Sequence, residues 1–250
     1  MLKTTLAVFV CAGAATAQTL PATIDFSVDG QGNTIQNAQV IGGNEFADLF
    51  TLTASGNNQG AAIFDSNPGV NGNVGDPDTD LIVGLGNILI FQDNQRPSQT
   101  NGFFDEIDDA LSGTFTFDFA FALTVESVTL VDIDNAGNGV DVTLTDANGL
   151  TRTYDVAKNF TFDLAEVPVS QRNDVDGFDV LDLLTLDDQV GEAGGIATAA
   201  EELGFDQNAV VQLEVQFNTS GGLDNLVLVP TPASAAMLAG AGLLGMRRRR

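Results

Sequence analysis

The chain has 250 residues, 44% of them apolar, and carries 34 acidic against 9 basic residues with no histidine and no tryptophan. Without imidazole, Ser-His-Asp and Cys-His nucleophile systems are excluded, and zinc and non-haem iron sites lose their usual ligands. A net charge of −25 repels phosphate backbones, which argues against nucleic acid as a partner and in favour of cations.

At the N-terminus, Lys3 precedes an apolar stretch from Leu6 to Ala14, and Ala15-Thr16-Ala17 offers a small-x-small cleavage site before Gln18. Residues 1–17 read as a secretory signal peptide. The sole cysteine, Cys11, falls within it, so the mature chain is expected to hold no disulfide. Between the two chain ends the basic residues are Arg96, Arg152, Lys158 and Arg172, set against all 34 acidic ones. Residues 18–229 are long enough for one sizeable core and are expected to form a single domain.

The pattern through that body has period two. Ile24, Phe26 and Val28 alternate with Asp25, Ser27 and Asp29, and Phe115, Phe117, Phe119 and Phe121 form a longer alternation. Val140, Val142 and Leu144 alternate with polar residues, as do Leu213, Val215 and Phe217. Asn148-Gly149, ahead of a strand over Thr151 to Val156, supplies the positive φ of a tight hairpin. The continuous apolar runs Ile88 to Phe91 and Leu226 to Val229 predict strands covered on both faces or lying near the sandwich centre. One helix is expected, over Ile196 to Leu203, where alanines and Glu201-Glu202 favour it and Gly204 stops it. The fold class is therefore all-β, an antiparallel β-sandwich.

With nucleophile systems removed, the chemistry left is that of carboxylates. Asp76, Asp78 and Asp80, preceded by Asp65, form the densest set of oxygen donors on a loop. Alternate carboxylates on a bent loop can converge on one point, and calcium, a hard cation taking six to eight oxygens, fits them best. The EF-hand form is excluded, because Leu81 and Asn87 stand where its glycine and glutamate belong. The alternative is a Gly75-Asp76-Pro77-Asp78 turn whose aspartates cap backbone amides. A second candidate pairs Asp25 on the first strand with Asp224 on the last, where a cation would tie the domain shut. The clusters Asp105, Glu106, Asp108, Asp109 and Asp174, Asp176, Asp179 read as solvated faces, and Asp132 with Asp134 as part of a turn. A carboxylate pair also leaves room for a glycoside hydrolase that needs no histidine.

At the C-terminus, Pro230, Thr231 and Pro232 precede an apolar run from Ala233 to Met246 and then Arg247, Arg248, Arg249 and Arg250. A spanning helix needs roughly 20 apolar residues. This run is shorter and contains Gly240, Gly242 and Gly245, so a short helix acting as a transient membrane stop is expected, with the arginines held inside.

Signal peptide, Pro-x-Pro, apolar helix and arginine cluster together resemble the PEP-CTERM class of exported bacterial proteins, with Thr231 standing where that family usually has Glu. The body adds short signatures in the same order as in such surface proteins: Ile24-Asp25-Phe26, Ile63-Phe64-Asp65-Ser66, Gly86-Asn87-Ile88-Leu89-Ile90, Leu130-Val131-Asp132-Ile133-Asp134 and Ser220-Gly221-Gly222-Leu223-Asp224-Asn225-Leu226. The resemblance implies a jelly-roll-like sandwich and a sorting segment over 230–250. In it Pro230 and Pro232 would be the recognition element for an exosortase-type membrane processing enzyme, and the arginines the retention signal. The function expected is that of a non-enzymatic exported protein of the cell surface or extracellular matrix, associated with exopolysaccharide, stabilised by calcium, and made as a transiently membrane-anchored precursor. A calcium-dependent polysaccharide-binding module is the alternative.

Overall fold

A computed structural model describes residues 22–68, 81–93, 99–105, 107, 112–133, 139–161, 177–191, 194–218 and 220–231. The signal peptide, the loop bearing Asp76, Asp78 and Asp80, and the tail from Pro232 through Arg247, Arg248, Arg249 and Arg250 lie outside the described residues. Within them every regular element is a strand: β1 (Ala22–Ile24), β2 (Val40–Ile41), β3 (Phe50–Ser55), β4 (Ala61–Asp65), β5 (Asn87–Phe91), β6 (Gln99–Thr100), β7 (Phe103–Phe104) and β8 (Gly113–Val131). The second half adds β9 (Val140–Asp146), β10 (Thr151–Val156), β11 (Phe178–Asp182), β12 (Gln189–Val190), β13 (Ile196–Glu201), β14 (Val210–Phe217) and β15 (Gly222–Pro230).

Strand β8 organises the molecule. Its 19 residues would extend about 60 Å, more than one layer can cover. The first half pairs with β14 on one side and β3 on the other, and the second half with β15 and β11. Along the first layer the order runs β3, β8, β14, β9, β10, β13, β12. The second layer continues from β8 through β15, β5, β4 and β2, with β1 on β15. All these pairings are antiparallel.

One buried cluster draws on both layers: Phe115, Phe117, Val142, Leu144 and Val215 from the first, and Ile24, Ile63, Leu89, Leu130, Leu223 and Leu226 from the second. That shared core makes the fold a β-sandwich. The alternating phenylalanines are its centre, with Phe115 stacked on Phe91 at 3.7 Å and Phe50 edge-on to Phe117 at 5.2 Å. A second cluster, including Phe64, Ile88, Ile90, Leu81 and Phe104, covers the outer face of β4 and β5. Ile88 to Phe91 is accordingly buried on both faces, as its unbroken apolar run predicts. In the Leu226 to Val229 run only Leu226 and Leu228 are buried, and Val227 and Val229 are half-buried.

The hairpin between β9 and β10 forms at Asn148-Gly149 with a three-residue loop, closed by the Asp146 and Leu150 backbones and by a Gly149 N–H to Asp146 carbonyl bond of 2.9 Å. Only Gly149 has positive φ, 81°, and no atom lies within 4 Å of a Cβ built there. Gly149→Ala should therefore cost backbone strain alone, about 1 kcal/mol in urea denaturation.

Two sequence expectations are corrected. The helix expected over Ile196 to Leu203 is absent: Ile196–Glu201 is β13, paired residue by residue with β10 from Ala197 opposite Val156 to Glu201 opposite Arg152. Helix preference amounts to a few tenths of a kcal/mol per residue. Pairing with β10 outweighs it, because both glutamates gain partners there. Glu201 ion-pairs with Arg152, which is itself buried and donates to the Leu183 carbonyl at 2.9 Å, while Glu202 accepts from the Thr151 N–H at 2.7 Å. The first strand also ends early. It stops at Ile24, and Phe26 takes a positive φ of 54° to bury its ring, leaving Val28 exposed.

Candidate functional site

The first and last strands lie side by side, with Ala22 opposite Leu228, Thr23 opposite Val227 and Ile24 opposite Leu226. Between the stretch of β15 that pairs with β5 and the stretch that pairs with β1, the ladder to β8 shifts register after Asp224 and Asn225 takes a φ of 45°. A bulge of this kind re-aims the side chain beside it. Leu223 and Leu226 both enter the main core, so by strand alternation Asp224 faces the other way. It shares that face with Gly222, where a built Cβ would meet Ile90 Cγ2 at 3.1 Å and Ile88 Cδ1 at 3.3 Å. The preceding Gly221, with φ 137°, passes so close to β8 that a Cβ would lie 2.7 Å from the Val131 carbonyl oxygen. The Gly-Gly-Leu-Asp-Asn sequence is thus what lets β15 press against its neighbours and still carry an acid inward.

Asp224 is 0% exposed. Its Oδ2 accepts a 2.9 Å bond from Asn225 Nδ2, and its Oδ1 is buried with no hydrogen-bond partner among the described residues. Burial pushes the carboxyl up to about 7; the Asn225 backbone N–H pulls it partly back, and the charge of Asp25 raises it further. Asp25 itself is exposed, and its Oδ1 accepts from the Ser27 N–H at 3.0 Å and the Ser27 hydroxyl at 2.6 Å. The structure therefore brings together the two acids paired from sequence, one wet and one dry.

Asn87, at the start of β5, has a structural role at this seam that its sequence pattern does not mark as a site. Its Nδ2 donates to the Phe26 and Ile35 carbonyls, both at 3.0 Å, and holds the turn after Asp25 against the second layer. The sequence signal was its place at the head of an apolar strand, where a polar side chain has to answer buried backbone. Directly opposite Asn87 stands Asp65, whose Oδ1 accepts from the Asn67 N–H at 3.0 Å and Nδ2 at 2.8 Å. Asp65 is thus a turn cap at the end of β4. Its companions Asp76, Asp78 and Asp80 lie outside the described residues, and so does Pro232, whereas Pro230 closes β15.

Among the described residues no three acidic groups converge as a ready-made metal cage. Asp146 offers the instructive contrast to Asp224. It is equally buried, yet its carboxylate accepts the N–H groups of Asn148 at 2.8 Å, Leu150 at 2.9 Å and Asp206 at 3.0 Å. Burial pushes Asp146 up, but these donors outweigh it and hold the group below its ordinary value. No protein-family model matches the chain, and no curated protein matches it.

Proposed function

We propose that the chain is a non-enzymatic exported protein of the cell surface or extracellular matrix, whose sandwich persists after both terminal segments are removed. The observation that supports this reading is that β1 and β15 lie side by side, Ala22 opposite Leu228. The first and last described strands thus close the sheet on each other, and cleavage after residue 17 and beyond Pro230 would remove none of the described strands. An exosortase-type enzyme could then release the body intact, and extracellular polysaccharide is the partner such a matrix protein would meet. The pair Asp25 and Asp224 does not suit the two carboxylates of a glycoside hydrolase, since Asp224 is fully buried and beyond substrate reach.

The intact mass of the protein recovered from the medium or cell surface tests this. The expected species begins at Gln18 and ends within the Pro-x-Pro segment. Recovery from the cell interior with Met1 and Arg250 both present would overturn the reading.

A further inference from the structure

We propose that Asp25 and Asp224 together bind one divalent cation, calcium by their chemistry, which fastens the first strand of the sandwich to the last. A buried carboxylate oxygen without a donor is disfavoured, and native chains almost always answer one with an N–H, a water or an ion. Asp146 is answered by three backbone N–H groups. For Asp224 Oδ1 the described residues supply no donor, and the charge acting on the group is that of a second carboxylate, Asp25, which follows the strand paired with β15. Two acids of like charge at one seam, one of them fully buried, are relieved by a positive counterion, and among the described residues no Lys or Arg acts on Asp224.

The donors are all oxygen, which excludes soft metals and selects a hard cation. Calcium tolerates an irregular shell of six to eight oxygens, so two carboxylates from different strands, completed by carbonyls and water, suit it better than the strict octahedron of magnesium. The position gives the ion a structural role. Asp25 directly follows β1 and Asp224 sits at the bulge where β15 passes from β5 to β1, so a shared ion cross-links residues about two hundred positions apart along the chain. The site does not depend on the export reading, and failure of one leaves the other standing.

The test is thermal melting and calorimetric titration of the full chain with calcium chloride against EDTA. A hundredfold excess of calcium over its Kd should raise Tm by about 5–10 °C. Both Asp224→Asn and Asp25→Asn should abolish that gain and the associated heat. In EDTA, Asp224→Asn should melt no lower than the unsubstituted chain, because it removes a buried charge while keeping the shape. Asp25 is exposed, so its variant tests the pairing even if Asp224→Asn folds poorly. Absence of a calcium shift in the unsubstituted chain, or a shift retained in either variant, would overturn the proposal.

Discussion

Phe115→Ala should destabilise the fold by about 3–5 kcal/mol, the ordinary cost of emptying a large aromatic site in a packed core. Phe115 is fully buried, lies flat against Phe91 at 3.7 Å and meets the Phe217 ring edge-on at 6.2 Å. Those contacts join β8 to β5 of the second layer and to β14 of the first, so the cavity would open where the layers meet. Neither layer can close it alone, since each backbone is fixed by its own ladder. In urea denaturation the midpoint should fall with little change in slope. Phe178→Ala provides the control: that ring is 42% exposed on β11, and its loss should cost under about 0.5 kcal/mol. A cost at Phe115 no larger than at Phe178 would mean that the alternating phenylalanines are not the centre of the sandwich.

The sandwich was legible because its core is written in period two. Phe115 to Phe119, Val140 to Leu144 and Leu213 to Phe217 each commit one face, and no local preference competes with that commitment. The Ile196 segment misled because alanine and glutamate say helix locally, while the deciding partners, Arg152 and Thr151, come from a strand some fifty residues earlier. The Val28 position misled for a related reason. Alternation continues in sequence past Ile24, but Phe26 abandons the strand conformation so that its ring can pack edge-on to Phe46 at 5.8 Å.

At the candidate site, the meeting of Asp25 with Asp224 followed from the habit of sandwich termini to lie together. What no local pattern announced was that Asp224 would be dry. Its burial arises at the β15 bulge, where Gly222 on the same face already meets Ile88 and Ile90 of β5, more than a hundred residues away along the chain. The acidic runs are more conspicuous in sequence than Asp224; of the Asp65, Asp76, Asp78 and Asp80 set only Asp65 is among the described residues, where it accepts from Asn67 at the end of β4. Clustering of like charge is visible in a sequence; desolvation of a single charge is a property of packing.

Asp146 and Asp224 should respond to pH in opposite directions, and the difference between them can be measured. Asp146→Ala would strand the Asn148, Leu150 and Asp206 N–H groups beneath the β9–β10 hairpin, with an expected loss of about 3–5 kcal/mol at pH 7. Because its folded value lies below the unfolded one, this stabilisation is complete above about pH 4 and disappears as pH falls through the folded value, so the gap between variant and parent should narrow in acid. Asp224 has its folded value raised to about 7. In EDTA it favours the fold most below about pH 4, where the group is protonated in both states, and that advantage is lost progressively as pH rises to 7. The loss is bounded by about 4 kcal/mol, and solvent relaxation around the bulge will reduce it. Asp224→Asn should remove this slope between pH 4 and 7, and urea denaturation of parent and variant across that range measures it. Equal slopes in the two proteins would mean that Asp224 ionises as freely as an exposed aspartate and that its burial is lost in solution.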